Sequence, residues 1–407
     1  MRILIIGGGI AGTAAALALN KAGIEVSVHE AHPDSGADIG AFLTLASNGM
    51  LALAQFGAAE AVAGIGFELT SMRLTGDTGS VVSTVPLGET GDPLRRFRCL
   101  RRAELGAVLR EEAVRRGIAV HHGRRFVTAS EDEKGVTAEF ADGSTERGDL
   151  LLGADGIHSV VRPLTDPEAA RPRYAGQRVF YGYTTDAAPP NEPGRIEMLR
   201  GSTAAMGYAV SPAGETFWFA RVSAEELSDA EIADTAPAHW RDHLLPLLRP
   251  DATPAADIVA ATDGRLMVTN ARDLSTVTRW RTERMLLVGD AAHAASPATG
   301  QGASMALEDA VVLAKSLRDA DDTRSALERY ERLRRPRVER NIVNSARLTP
   351  SRAPSRLQRT LNNYRAKWKS RTASAAGRPA ADGDSELARQ LDWDTPLTAD
   401  SPAVQGS

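Results

Sequence analysis

The first residues that could do chemistry are glycines near the start of the chain. Gly7-Gly8-Gly9-Ile10-Ala11-Gly12 fits the spacing G-x-G-x-x-G, directly after an apolar strand and at the start of a helical pattern. In such a turn the first glycine permits a tight bend, the second lets backbone N–H groups reach a pyrophosphate, and the third lets helix and strand pack closely. The predicted dinucleotide contacts are Gly7, Gly9, Ile10, Ala11 and Gly12.

An acidic residue ends the second predicted strand. Glu30 follows residues 25–29 and stands at the distance at which a carboxylate accepts hydrogen bonds from an adenosine ribose diol. A carboxylate at this place disfavours the 2′-phosphate of NADP, so FAD or NAD fits better.

A second group of residues, far downstream, narrows the choice to a flavin. Gly289-Asp290 ends a predicted strand, and a glycine turn then leads into a helix. An aspartate at a strand end can accept a hydrogen bond from a ribityl hydroxyl. A helix N-terminus points backbone donors and a positive dipole at the flavin edge that becomes anionic on reduction. The predicted FAD contacts in this part are Gly289, Asp290, Pro297, Gly300, Gly302 and Ala303.

The elements that must position these residues alternate between strands and helices. Strands are predicted over 2–6, 25–29 and 118–121 and helices over 11–22, 47–56 and 103–115, which indicates an α/β fold with a parallel sheet. Between residues 174 and 274 the pattern changes to short alternating strands at 179–184, 203–210 and 215–222, followed by a helix over 229–248. A strand over 284–288 and a helix over 302–317 restore the first pattern.

The sequence therefore predicts a discontinuous domain with an insert. A Rossmann-type FAD-binding domain is expected over residues 1–170 with 275–350, a sheet-rich substrate domain over 171–274, and a basic C-terminal helix and tail over 351–407. Residues 340–378 contain no Asp or Glu and many cations, which we interpret as a solvated helical face, the alternative being a surface for an acidic partner. From Thr372 the composition indicates a weakly ordered tail with one short helix over 386–391.

Composition excludes several classes of protein. The 407 residues carry a net charge of -4, which gives no general attraction to nucleic acid or anionic lipid. No apolar run approaches the roughly 18 residues that cross a bilayer, and the N-terminus lacks a signal peptide, so a cytoplasmic location is expected. The single Cys99 excludes an internal disulfide and is interpreted as a small buried apolar residue. No metal site is expected.

In the order of these motifs, the chain resembles the para-hydroxybenzoate hydroxylase-like family of flavoprotein monooxygenases from residue 1 to about 345. The resemblance rests on the N-terminal glycine fingerprint, on the segment Gly153-Ala154-Asp155-Gly156-Ile157-His158-Ser159-Val160-Val161-Arg162, and on residues 289–302. It implies that Asp290 contacts the FAD ribityl chain, Glu30 the adenosine ribose, and the backbone of residues 300–303 the flavin ring.

The resemblance also concerns three arginines. The middle segment of the family touches FAD and NAD(P)H near their pyrophosphates, here through Asp155 and Arg162. The family pattern Arg-x-x-Leu at a helix start matches Arg102, with Arg101 as the shifted alternative. Many members carry a cation just before the segment that begins at residue 40, whereas residues 36–39 offer none, so the route of NAD(P)H engagement is left open.

The function implied by the resemblance is oxygen insertion. NAD(P)H would reduce FAD, and a flavin hydroperoxide would hydroxylate or epoxidise a small organic substrate, aromatic or polyketide-like. Strand alternation offers two candidate substrate sets, Met206 with Tyr208 or Phe217 with Phe219, and packing inside the sheet is the competing interpretation of both. His158 and His293 are interpreted as structural, and no catalytic residue is assigned.

Two other functions use the same fingerprint. One is a flavin-dependent reductase of carbon–carbon double bonds, and the other is a non-catalytic flavoprotein that binds a partner through the basic C-terminal region. The oligomeric state, the identity of the substrate and the choice between NADH and NADPH stay open at this stage.

Overall fold

The computed structural model describes residues 1–33, 41–88, 91–264, 266–274, 277–348 and 382–404. Within these residues the strands are β1 (Arg2–Ile6), β2 (Glu25–His29), β3 (Phe42–Leu45), β4 (Phe67–Leu69), β5 (Ser71–Gly76), β6 (Val81–Pro86), β7 (Phe97–Arg101), β8 (Ala119–His121), β9 (Phe126–Asp132), β10 (Gly135–Phe140), β11 (Thr145–Gly148), β12 (Leu150–Gly153), β13 (Arg173–Thr184), β14 (Arg195–Arg200), β15 (Ala204–Val210), β16 (Thr216–Ser223), β17 (Leu266–Asp273) and β18 (Met285–Leu287). The helices are α1 (Ile10–Lys21), α2 (Ser47–Gln55), α3 (Ala59–Ala63), α4 (Arg102–Arg115), α5 (Arg162–Thr165), α6 (Asp229–Asp234), α7 (Pro237–Leu248), α8 (Ala255–Ala260), α9 (Asp290–His293), α10 (Gly302–Asp319), α11 (Thr323–Arg347) and α12 (Asp382–Leu391).

A parallel sheet in the order β18, β12, β1, β2 and β8 forms the first layer. Its central strand is apolar and buried from Ile3 to Ile6, as expected for a parallel sheet that is covered on both faces. Helix α1 packs against α10, although the two are far apart in sequence. The pairing of β18 with β12 joins the downstream segment to the N-terminal unit, which confirms the predicted α/β Rossmann-type fold.

A seven-stranded sheet in the order β17, β13, β16, β15, β14, β5 and β6 forms the second layer. Its pairs are antiparallel except for β14 with β5. Helices α7 and α8 cover one face, where Trp240 and Ile258 pack against Phe180 and Trp218. Strands β5 and β6 come from residues 71–86, which the sequence analysis assigns to the domain over 1–170. Alternation along a strand does not reveal which sheet the strand joins, because the pairing partner is set by tertiary packing.

A small antiparallel sheet, β3, β7 and β4, connects the two layers. Its residues Phe42, Phe67 and Cys99 pack against Tyr183 and Phe217 of the seven-stranded sheet. The Cys99 side chain is fully buried, and burial raises the pKa of its thiol, so this residue acts as an apolar side chain.

The helix predicted over residues 229–248 is two helices, α6 and α7. Pro237 occupies the first turn of α7, and Ala236 before it is extended. A residue that precedes proline is disfavoured in the helical conformation, so α6 cannot continue through this point.

The end of the chain is more ordered than its composition indicates. Helix α12 contains the predicted short helix, and Leu391, Leu397 and Val404 are buried in the main core. The Lys315 ammonium on α10 donates to the backbone carbonyl of Gln390 at 2.6 Å and also to that of Asp392. The expected weak order was wrong for residues 382–404, because a few leucines and a buried cation that needs carbonyl acceptors fix a segment of otherwise polar composition. Most of the basic stretch lies outside the described residues, from residue 349 onward.

Membrane-spanning helices and metal clusters are both missing from the described part of the chain. None of its helices has both the length and the apolar character needed to cross a bilayer. Within the same residues, no group of three or more His, Cys, Asp or Glu side chains is placed to hold a metal ion.

Candidate functional site

One cavity of about 740 Å³ lies between the first layer and the seven-stranded sheet. Its volume is within the range typical of cofactor and ligand sites. Twelve of the predicted cofactor residues line it: Gly7, Gly9, Ile10, Ala11, Glu30, Arg102, Asp155, Asp290, Pro297, Gly300, Gly302 and Ala303. The other two predicted residues, Gly12 and Gly289, lie just behind this lining.

The N-terminal glycine turn has the geometry that its spacing predicts. Gly7 has φ of +106°, a conformation that side-chain-bearing residues rarely adopt. Gly9 precedes α1 and has open space where a Cβ would be. A Cβ on Gly12 would overlap the carbonyl oxygen of Gly7, so only glycine allows this approach of helix and turn. The N-terminus of α1, which no side chain caps, therefore opens directly onto the cavity.

A second helix N-terminus opens onto the same cavity. Gly300 has φ of +65°, and α10 begins at Gly302, again without a side-chain cap. Gly302 has open space where a Cβ would be, whereas a Cβ on Gly300 would lie 3.1 Å from the Thr44 hydroxyl. Two helix N-termini on one cavity give it backbone donors and positive dipole ends, which suit an anionic or electron-rich ligand.

Glu30 is fixed by the turn that it faces. Its Oε2 accepts a hydrogen bond from the Gly8 amide at 2.7 Å, and its Oε1 accepts one from the His32 amide at 2.8 Å. The carboxylate is thus held at the mouth of the glycine turn, where its remaining lone pairs are available to a hydroxyl donor.

Asp155 lines the cavity and keeps one buried carboxylate oxygen without a hydrogen-bond partner among the described residues. Its Oδ2 accepts from the Val160 amide at 2.7 Å and from the Val161 amide at 3.1 Å. Its Oδ1 is buried and has no partner within the described part of the chain. Burial raises the pKa of this carboxyl, against the Ser159 hydroxyl and the two amides, which favour the charged form. A ligand hydroxyl or amide would satisfy the orphaned oxygen, so this residue fits a bound dinucleotide.

The three candidate arginines have different surroundings in the structure. Arg102 lines the cavity, while Arg101 pairs with Glu215 at 2.6 Å and stacks its guanidinium 4.7 Å from the centre of the Tyr183 ring. Arg162 is buried and donates to the carbonyls of Ala291 and Ile157, so it connects two motif turns rather than facing the cavity.

A buried ionic network lies behind the cavity, and none of its residues was predicted from the sequence as part of the site. Arg334 donates to Asp309 at 2.7 Å and to Glu308 at 2.5 Å, and all three side chains are almost wholly buried. Asp309 also accepts from the Gly289 amide at 3.0 Å and contacts the His293 ring at 2.6 Å. The network therefore holds the turn that presents Asp290, which supports the interpretation of His293 as structural.

The charges within this network are mutually compensated. Burial alone would raise the pKa of the Asp309 carboxyl, but the neighbouring His293 and Arg334 outweigh it and lower that pKa. Burial likewise opposes ionisation of Glu308, and Arg334 and Arg337 reverse the effect and lower its pKa. The only sequence signal would have been the Glu308-Asp309 pair on the buried face of α10, where two adjacent acids require cationic partners.

The cavity wall opposite the glycine turns is made of side chains from the seven-stranded sheet. Val179 and Tyr181 on β13, and Phe219 and Arg221 on β16, line it, with Phe42 of β3 beside them. The Phe42 ring centre lies 6.0 Å from that of Phe219 and 6.3 Å from that of Tyr181. This group forms an aromatic wall that carries one cation.

The substrate candidates fall on different sides of this sheet. Phe219 lines the cavity, and Phe217 packs just behind it against Phe42. Met206 and Tyr208 face the other way into the core beneath α7 and α8, where the Tyr208 hydroxyl donates to the Pro190 carbonyl at 2.7 Å. Of the two alternative sets, Met206 and Tyr208 fit the competing interpretation of packing inside the sheet, because helices cover their face, and Phe219 stays a predicted substrate contact.

Comparison with known proteins agrees with this geometry. A family model described as FAD binding domain matches residues 1–345. The FAD-dependent urate hydroxylase of Klebsiella pneumoniae subsp. pneumoniae is 33% identical over 357 residues, covering 85% of this chain and 89% of that protein. The 3-amino-4-hydroxybenzoate 2-monooxygenase PtnB3 of Streptomyces platensis is 34% identical over 357 residues, covering 83% and 85%. A crystal structure of a Klebsiella pneumoniae HpxO variant complexed with FAD superposes with a TM-score of 0.81 at 27% identity, covering 92% of this chain and 97% of that one.

The fold and the cavity define an FAD-binding oxidoreductase. The chain belongs to the para-hydroxybenzoate hydroxylase-like family of FAD-dependent monooxygenases, as the sequence resemblance predicts.

Proposed function

We propose that this protein uses NAD(P)H and O₂ to hydroxylate or epoxidise a small ring-containing substrate. The observation that carries the proposal is that one cavity is lined both by the glycine turns of the cofactor motifs and by the aromatic wall of the seven-stranded sheet. The named relatives act on urate and on 3-amino-4-hydroxybenzoate, which favours an aromatic or heteroaromatic ring over a polyketide.

The cofactor would be held mainly by backbone. The amides near Gly9 and Ile10 would meet the pyrophosphate, and the turn from Gly300 to Gly302 would meet the flavin ring. Glu30 would accept from the adenosine ribose, and Asp155 and Asp290 would accept from hydroxyl or amide groups that face them. When bound and reduced, FAD would supply the oxygen-transfer chemistry, for which a flavin hydroperoxide stays the predicted species.

The aromatic wall would position the substrate and exclude water. Phe42, Tyr181 and Phe219 present rings to the cavity, and burial raises the pKa of the Tyr181 hydroxyl, so it stays protonated and can donate a hydrogen bond. Exclusion of water matters because a solvated oxygenating flavin releases hydrogen peroxide instead of transferring oxygen.

A substrate screen under labelled oxygen tests the proposal. The purified holoprotein is mixed with NADH or NADPH and a panel of phenols, aminobenzoates and purines in ¹⁸O₂, and NAD(P)H oxidation and product mass are measured together. We expect at least one compound to accelerate NAD(P)H oxidation and to gain one labelled oxygen atom. Faster oxidation without label in any product would contradict oxygen insertion, and reduction of an alkene under anaerobic conditions would favour the reductase alternative.

The third function, a non-catalytic flavoprotein that binds a partner through the basic C-terminal region, rests on residues outside the described ranges. Deleting the whole C-terminal region would not separate partner binding from a folding defect, because Val404 is buried in the core. Replacing Lys367, Lys369 and Arg371 together by glutamine removes their charge and keeps the buried Val404 in place. Loss of a bound partner with oxygenation unchanged would support a separate binding role for this stretch.

A further inference from the structure

A second cavity, of about 370 Å³, adjoins the cavity described above. Residues that line both cavities are His158, Val179, Asp290, Ala295 and Pro297. Val179 belongs to the aromatic wall, and Pro297 begins the turn that is predicted to meet the flavin ring. Because His158, Asp290 and Pro297 are exposed rather than packed, the boundary between the two cavities is open to solvent at these residues.

Helix α6 forms part of the wall of the second cavity. Asp229, Ile232 and Ala233 line the cavity, and their spacing of three and four residues puts them on one face of the helix. Strand β17 contributes residues 268–272 to the same lining. No residue of α6 is buried, and the same holds for every residue from 223 to 239. The helix is therefore a rim of the cavity that little packing holds in place.

The attachments of this rim stop just before α6 begins. Asn270 on β17 donates to the Leu227 carbonyl at 2.6 Å, and Arg272 on the same strand pairs with Glu226 at 2.6 Å. From residue 228 to residue 235, the hydrogen bonds made among the described residues all lie within this segment, as in the capping box that begins α6. A segment with exposed hydrogen bonds and few buried contacts opens at low free-energy cost.

Bound FAD would close the opposite approach to the aromatic wall. The adenosine end of the main cavity is lined by Gly9, Glu30 and Arg125, and the cofactor would fill this end. A substrate must enter and leave in every turnover while FAD stays, so it needs a path that avoids the adenosine site. The second cavity offers such a path, because its lining includes none of residues 6–32 or 124–126.

We propose that the second cavity is the entrance through which a small ring compound reaches the aromatic wall, and that α6 is its movable rim. This inference rests on the proposed function, because it gives the same substrate its route. The volume of the second cavity is within the range of ligand pockets and exceeds what a single ring needs.

The charges of the second cavity favour a small ring compound over NAD(P)H. Asp229 and Asp290 line it, and its arginine, Arg272, is already engaged by Glu226. The phosphates of a dinucleotide would therefore meet two carboxylates and no available guanidinium at this entrance.

Cysteine labels on α6 test the entrance. The native Cys99 is fully buried, so a maleimide reacts in preference with a cysteine introduced on this exposed helix. Ala233→Cys puts the label at the cavity. The matched control is Ala230→Cys, an exposed position on the same helix that does not line the cavity. Each variant is labelled either with small N-methylmaleimide or with a bulky pyrene maleimide.

The probe is benzoquinone, a small ring that oxidises reduced FAD and is itself reduced to hydroquinone. The flavin of each labelled holoprotein is reduced by light without oxygen, and its reoxidation by benzoquinone or by O₂ is followed from flavin absorbance. With the bulky label at residue 233 we expect reoxidation by benzoquinone to slow about 10-fold, and reoxidation by O₂, a much smaller molecule, to change less than about 2-fold. The small label at residue 233 and both labels at residue 230 should leave the benzoquinone rate nearly unchanged.

Two substitutions test the entrance without labels. Ile232 is the largest apolar side chain that α6 presents to the cavity, and it is not buried, so replacing it should leave the fold intact. Ile232→Ala should speed reoxidation by benzoquinone and Ile232→Trp should slow it, each by about 3-fold, with FAD content and melting temperature unchanged. Ala230→Trp, away from the cavity, should have no effect on this rate.

Hydrogen exchange in the holoprotein measures the movement of the rim. The amides of α6 should exchange at least about 10-fold faster than those of α7 around Leu244, whose side chain is fully buried. Equal protection of the two helices would contradict a movable rim.

Several results would overturn the entrance. They are equal benzoquinone rates with the bulky and the small label at residue 233, equal slowing by the bulky label at residue 230, and slower reduction by NADH or NADPH with an unchanged benzoquinone rate. If the bulky label releases FAD, the order of rates among the Ile232 variants decides, and equal rates contradict the proposal.

These results are independent of the proposed reaction. Slower entry of benzoquinone without any ¹⁸O-containing product contradicts only the monooxygenase proposal. An ¹⁸O-containing product with benzoquinone rates that no change on α6 affects contradicts only the entrance.

Discussion

The two walls of the cavity are built in different ways. On the first-layer side, the cavity meets backbone at Gly9, Gly300 and Gly302, and two helix N-termini open onto it. On the other side it meets the side chains of Tyr181, Phe219 and Arg221, which stand on neighbouring strands of an antiparallel pair. The wall made of backbone suits a ligand that stays the same among related proteins. The wall made of side chains suits a ligand that differs from one relative to another.

The difference follows from what each wall tolerates. A backbone wall needs glycine at fixed places, because any side chain would fill the space that the ligand or a neighbouring turn occupies. A side-chain wall can change its shape and charge without changing the path of the chain. Four experiments, in order of decreasing expected effect, test this contrast.

The largest effect is expected from breaking the ionic network that supports the backbone wall. Arg334→Met would leave Glu308 and Asp309 buried without their main counter-charge, which should lower the free energy of unfolding by about 3–5 kcal/mol. Chemical denaturation of both proteins measures the difference. The matched control is Arg324→Ala, whose side chain is 77% exposed and whose pair with Glu328 should contribute at most about 0.5 kcal/mol.

The difference in stability between the parent protein and Arg334→Met should depend on pH. The pKa values of the Asp309 and Glu308 carboxyls are lowered in the folded protein, so their contribution is present above the unfolded-state values near pH ~4 and is lost as the pH falls below them. Parent and variant should therefore converge in stability in acid. A difference that stayed constant down to pH ~2 would show that Arg334 acts through packing instead.

The next largest effect is expected from one methyl group added in the glycine turn. Gly12→Ala would force its Cβ into the Gly7 carbonyl oxygen, which we expect to cost about 3 kcal/mol of stability and to release FAD. The ratio of flavin absorbance to protein absorbance after purification measures retention. Gly91→Ala has no heavy atom near its Cβ and should retain FAD fully. Stoichiometric FAD in the Gly12 variant would show that the turn can move.

A third change distinguishes the two faces of the seven-stranded sheet. Met206→Ala should destabilise the protein by about 2–3 kcal/mol through a cavity under α7 and α8, yet leave FAD content and ligand affinity unchanged, because its face is turned away from the site. Phe219→Ala should lower stability less than Met206→Ala does, but it should weaken the binding of ring compounds, because Phe219 lines the cavity. Thermal melting and flavin-perturbation titrations measure the two effects. Equal effects on ligand affinity would remove the distinction between the faces.

The smallest effect is expected at the side chain that stands at the mouth of the backbone wall. Glu30→Gln keeps the shape, but its single oxygen can accept from only one of the Gly8 and His32 amides, and the other amide then faces an NH₂ donor, so FAD affinity should fall about 10-fold. Equilibrium dialysis of the reconstituted protein measures the change. Glu25→Gln, at the far end of the strand that precedes Glu30 and 73% exposed, should leave FAD affinity as it is.

Where motifs are local, the sequence predicted the structure closely. The G-x-G-x-x-G turn, the Gly289-Asp290 strand end and the turn at Gly300 are each defined by a few consecutive residues, and all of them lie at the cavity or directly behind it. The choice between Arg101 and Arg102 could not be made in this way, since both stand at the start of the same helix and only the contact of Arg101 with Glu215 separates them.

The backbone wall of the cavity could be predicted from the sequence, because a pyrophosphate site requires backbone conformations that glycines at a fixed spacing allow. The strands that face the cavity, the membership of residues 71–86 in the seven-stranded sheet and the pairing of Arg334 with two buried acids became visible in the folded molecule alone. These features depend on contacts between residues far apart in the chain.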